Sequence, residues 1–134
     1  MDEQKQQELI YQMSMFEQQM QQIQQQLQMV EQGIVELNEL NKGLDDLKGK
    51  KGKEILAQIG RGIFVKANLI SEDLIVDIGG KNFVSKKIPE GKEMIDNQIK
   101  KLEDVYEQLA NSLNDLNGQM IEMIGKVQKE GEKE

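Results

Sequence analysis

Side chains that carry covalent chemistry are scarce in this sequence. It contains no Cys and no His. That removes the thiol nucleophile, the thiolate metal ligand, the commonest general base and the commonest neutral metal ligand. Asp and Glu total 24, but they are scattered at charge-pair spacing, the pattern of solvated helix exteriors and not of convergent catalytic carboxylates. No Gly-rich turn leads into Lys-Ser/Thr, so nothing resembles a P-loop and no need for ATP is expected. The chemistry left is that of apolar contact. Met13, Met15, Met20, Met120 and Met123, five of the eight methionines, fall in two short stretches together with Ile10, Tyr11, Phe16, Ile121 and Ile124. The residues expected to make this contact at the helix tips are Ile10, Met13, Met15, Phe16, Met120, Ile121, Met123 and Ile124. Met13, Met20, Met120 and Met123 also fit ordinary helix pairing. Ile10, Met15, Ile121 and Ile124 lie outside that pattern, where a paired helix is normally polar. Flexible thioethers beside exposed aliphatics form a collar that adapts to irregular surfaces, a property of promiscuous contact with other chains.

Two long helices must position this collar. Residues 2–48 are rich in Gln, yet Leu9, Met13, Phe16, Met20, Ile23, Leu27, Val30, Ile34 and Leu37 recur at alternating steps of 4 and 3, an unbroken heptad seam. Gln and Glu are good helix formers and fill the outside. Leu40, Leu44 and Leu47 then follow Leu37 at steps of 3, 4 and 3, which predicts a stammer that overwinds the coil locally. The basic run Lys48-Gly49-Lys50-Lys51-Gly52-Lys53 ends the helix with a Gly cap and charges suited to a C-terminus. A second helix is expected over 89–128, opening on the only proline, Pro89. Its seam runs Ile95, Ile99, Leu102, Tyr106, Leu109, Leu113, Leu116, Met120, Met123 and Val127. Each arm would be roughly 60 Å long. Residues 129–134 read as a frayed tail.

Between the arms, residues 54–88 are organised differently. β-branched and aromatic residues alternate with turn signals at Gly60-Arg61-Gly62, Ser71-Glu72-Asp73 and Gly79-Gly80-Lys81. Four short strands fit, at about 54–59, 63–70, 74–78 and 82–87. Strands this short cannot enclose a core and leave unpaired edges, so this region is expected to assemble with other chains. The residues expected at that interface are Ile59, Ile63, Phe64, Val65, Leu74, Val76, Ile78 and Phe83.

The central strands return the chain, and the two seams match as an antiparallel pair. With Leu37 opposite Ile99, Ile34 faces Leu102, Val30 faces Tyr106, Ile23 faces Leu113 and Leu9 faces Val127. Asn41, opposite Ile95, is the first polar mismatch, and a polar seam residue of this kind fixes register. Net charge −7, few aromatics and no Trp argue against nucleic acid as the partner. Residues 1–20 lack the apolar run of a signal peptide and no stretch approaches a membrane span. A cytoplasmic, non-enzymatic protein without metal or cofactor is expected. The fold class is mainly α with a small β region: helix, two β-hairpins, helix, as one domain over 1–134.

Long helix, Gly-punctuated strands and long helix, with matched heptads, resemble prefoldin. The stretch from Ile55 to Ile88 resembles the alpha-type subunits, which carry two hairpins where beta-type subunits carry one. IGRGIFVKANL matches the first Gly turn and second strand, and LIVDIGGKNFVSKK matches the second hairpin. Gln58 departs from a frequent proline of the family. The resemblance, of the kind found in archaea, implies a hexamer of two alpha and four beta subunits whose strands form an oligomeric double β-barrel. It also implies coiled-coil tips that hold unfolded polypeptides without ATP and deliver them to a group II chaperonin. The alternative is a structural coiled-coil tether or scaffold that oligomerises through its β region and binds one specific partner. A holdase suppresses aggregation of several unrelated clients, and a tether does not.

Overall fold

The computed structural model describes residues 3–133, with side chains described as far as residue 129. The element order is α1 (Glu3–Leu47), β1 (Glu54–Gly60), β2 (Ile63–Asn68), β3 (Leu74–Asp77), β4 (Phe83–Lys86) and α2 (Ile88–Lys133). All four strands fall within the expected stretches to within a residue or two. The second helix is longer than expected: it continues through Lys133, where the sequence predicted fraying from 129. Lys and Glu are strong helix formers, and a single Gly131 does not outweigh them. Glu134 lies outside the described residues.

The chain divides into two compact units, Met1–Ile34 with Lys101–Glu134, and Val35–Lys100. In the first, the heptad residues of both helices are half-buried and the positions between them are mostly exposed. Close contacts define the register. The Tyr106 hydroxyl donates to Glu31 Oε1 at 3.0 Å, and a Cβ added at Gly33 would stand 3.2 Å from Leu102 Cδ1. Leu9 and Val127 line a common groove. All three agree with Val30 beside Tyr106 and Ile34 beside Leu102.

In the second unit the buried apolar residues are Leu44, Ile88, Ile95 and Ile99. Each contributes up to about 1.5–3 kcal/mol of transfer free energy. Here the structure corrects the predicted stammer. Leu40 is 51% exposed, whereas Asn41 is half-buried and donates from Nδ2 to Asp96 Oδ1 at 2.9 Å. The heptad phase therefore runs on from Leu37 through Asn41 to Leu44, and α1 is one continuous helix. Leu40 does not join the seam; it lines a groove with Leu74 and Met94.

The strands form two separate antiparallel hairpins, β1–β2 and β3–β4. In the first, Ile55 pairs with Ala67 and Ala57 with Val65, and an irregularity falls between Gln58 and Gly60. Its two-residue turn has φ 38° at Arg61 and 81° at Gly62. Positive φ at both central positions is the type I′ geometry that matches strand twist. In the second, Leu74 pairs with Lys86 and Val76 with Val84.

Candidate functional site

Two surfaces collect the residues singled out from the sequence. The first is built by the hairpins. Ile59, Ile63, Phe64, Val65, Ile78 and Phe83 are all exposed within the chain, as an assembly surface requires. Leu74 and Val76 stand differently. They share the half-buried face of β3, and Leu74 Cδ1 fills the space that a Cβ at Gly91 would need. These two side chains anchor the hairpin to the chain's own helices because Gly91, in the first turns of α2, lets β3 approach closely. The outward face of the second hairpin is carried instead by Ile75, 72% exposed, and Phe83. Ile75, Leu56 and Ile70 are exposed aliphatics absent from the expected interface set. Alternation sets Ile75 on the face of β3 opposite Leu74 and Val76, and Leu56 on the face of β1 opposite Ile55 and Ala57, without saying which face is turned outward. Ile70 follows β2, outside the strands.

Hydrogen bonds hold the hairpins at their bases. Gly52 N–H donates to the Leu69 carbonyl at 2.6 Å, and Leu69 N–H to that of Lys53 at 3.0 Å. The link between hairpins is tied to the end of α1 by Gly49 N–H donating to Glu72 Oε1 at 2.8 Å. Lys87 Nζ donates to Asp73 Oδ1 at 2.8 Å, and Lys92 bonds Asp45 across the two helices, with Lys48 3.3 Å from the same carboxylate oxygen. The hydrogen bond from Lys87 holds the Asp73 carboxyl below the usual aspartate range, and the bond raises Lys87 in turn. Lys92, then Lys48, lower Asp45.

The second surface is the helix end that bears the termini. Ile10 (67%), Met15 (41%), Ile121 (62%) and Ile124 (38%) are exposed. Met13, Phe16, Met120 and Met123 are half-buried in the seam. Gln6, Leu9, Ile10, Met13 and Val127 line a groove of about 240 Å³, so this end offers both an apolar rim and a recess. Tyr11, 67% exposed, extends the rim. Among the described residues, no group of three or more His, Cys, Asp or Glu is placed to hold a metal ion, and no helix is long and apolar enough to cross a membrane.

Residues 16–133 match the family model described as prefoldin subunit. Across 131 residues the chain is 33% identical to a protein named prefoldin subunit alpha from Methanobrevibacter smithii, covering 97% of this chain and 87% of that one. A protein of the same name from Methanosphaera stadtmanae is 26% identical over 78 residues, 58% of this chain and 56% of the other. Among solved structures, the filamentous PFD from Methanocaldococcus jannaschii, determined by cryo-EM, superposes with a TM-score of 0.75 at 19% identity. The match covers 84% of this chain and 95% of that one.

Proposed function

The chain belongs to the prefoldin family, whose subunits are chaperone-like and assemble with one another into oligomers, and from that premise we propose that it is an alpha-type subunit of an ATP-independent holdase. Two such chains join four beta-type subunits through their hairpins, which close into a double β-barrel. The termini-bearing helix ends hold unfolded polypeptides in the cytoplasm and pass them to a group II chaperonin. The chain performs no reaction; its work is contact.

The observation that carries this reading is the exposure of Ile10, Met15, Ile121 and Ile124 at one helix end, outside a seam that already satisfies both helices. Single exposed apolar residues such as Met29, Val35 and Val105 also occur along the helices and are ordinary. At the termini-bearing end four of them gather with Tyr11 beside a recess, and a clustered apolar patch favours contact with another chain. Unfolded proteins present apolar segments without a shared shape, and Met-rich surfaces re-pack to meet them. The exposed hairpin faces support the assembly half of the reading, since open strand edges are templates for pairing.

The test is a client panel. Several unrelated, chemically unfolded proteins are diluted into buffer containing the assembled complex and no nucleotide. Suppressed aggregation across the panel is the expected result. Suppression for one protein alone, or for none, would instead mark a tether with a single specific partner.

A further inference from the structure

One band of the paired helices is explained neither by the seam nor by the apolar rim. From residue 18 to 28 of α1 no side chain is charged, and the eight glutamines in that stretch are all exposed. The register defined by Tyr106–Glu31 on one side and by the Leu9–Val127 groove on the other sets residues 108–118 of α2 beside it. There the exposed positions include Asn111, Ser112, Asn114 and Asn117, and Asp115 is the only charge. One charged residue in these 22 contrasts with 31% over the whole chain. Helix stability does not call for this composition. Glu and Lys have propensities like that of Gln and would add favourable i,i+4 pairs. The band also adjoins the rim directly: Gln18 follows Phe16 by two residues, and Gly118 precedes Met120 by two.

We propose that this amide band is a second part of the client surface, holding the backbone of an extended polypeptide whose apolar side chains occupy the rim and recess at the helix end. The inference rests on the holdase reading above. A carboxamide both donates and accepts hydrogen bonds, so it pairs with peptide N–H and C=O whatever side chains the client carries. An unfolded chain exposes those groups along its entire length, without regard to sequence. Charged residues in the band would sort clients by sign, and on a chain of net charge −7 further acidic residues would repel acidic clients. A neutral band avoids that sorting. Each contact is weak, and their number along the band supplies retention.

The experiment places a photo-crosslinking residue, one site at a time, in the assembled complex, in place of Gln22, Gln25 or Asn114 in the band, or of Ile10 at the rim. A chemically unfolded client is diluted in and irradiated. Crosslinks at both Ile10 and the band positions are expected. Crosslinks at Ile10 with none at the three band positions would overturn the band while leaving the holdase reading intact; none at any position would overturn both. A second measurement probes the chemistry. An apolar peptide and its backbone N-methylated counterpart compete for the wild-type complex, and methylation is expected to weaken binding severalfold. Equal binding of the two peptides would rule out backbone recognition.

Discussion

At Gly91 an added methyl group meets a side chain. Its Cβ would overlap Leu74 Cδ1 and touch Leu44 Cδ1 at 3.7 Å, so Gly91→Ala must turn Leu74 out of its present rotamer and loosen its packing against the helices. The expected loss is about 1–3 kcal/mol, the usual range for overpacking, read by chemical denaturation. Gly43→Ala is the control. It lies within α1 with nothing within 4 Å of an added Cβ, and the change should stabilise by up to about 1 kcal/mol. The ion pairs at the hairpin bases carry a pH signature. Asp73 and Asp45 titrate below the ordinary aspartate value of 3.8 in the folded chain. Such groups contribute stability that is present above the unfolded-state value and is lost as pH falls through the folded one. Lys87 is raised above 10.5, so its contribution is present below that value and is lost as pH rises through the folded one. Unfolding midpoints should therefore be flat near neutrality and fall in acid. Asp73→Asn should reduce that acid dependence; an unchanged slope would mean that the Lys87 pair has no part in it.

Register is the property that belongs to the helices. Cys substitutions at Ile23 and Leu113 should form a disulfide within one chain under mild oxidation, because facing seam positions lie within disulfide reach. Crosslinks found only between chains would mean that the helices pair in trans. Much of this scale was legible in the sequence, since two seams of matched phase admit few alignments and Gly turns mark each hairpin. What escaped has physical reasons. Leu40 and Asn41 compete for one seam position: hydrophobicity favours Leu40, but heptad phase favours Asn41, and phase prevailed because Leu40 has a second place to lie, in the groove beside Leu74 and Met94. On β3 the run Leu74-Ile75-Val76 is apolar on both faces, so alternation could not say which face is turned inward. That choice depends on Gly91 and Leu44, which are distant in sequence. The residues of the helix-end rim were legible because they break the heptad pattern; the groove between Leu9 and Val127 required the pairing itself.

Hairpins with exposed apolar faces and open edges make the isolated chain incomplete as a molecule. Native mass spectrometry is expected to show self-association through residues 54–88, and a hexamer when beta-type subunits are added. A stable monomer at micromolar concentration that ignores such subunits would contradict the assembly reading. The proposed holdase role, by contrast, rests on the helix ends. Burying one of their side chains against a client gains roughly 1.5–3 kcal/mol at best, so retention depends on several contacts acting together. The most direct measurement replaces Ile10, Met15, Ile121 and Ile124 together by Ser and follows light scattering as a chemically unfolded client is diluted into the wild-type or variant complex without nucleotide. The account predicts that the variant suppresses aggregation much less well, with helix content and oligomer size nearly unchanged. Suppression equal to wild type at equal concentration would contradict it.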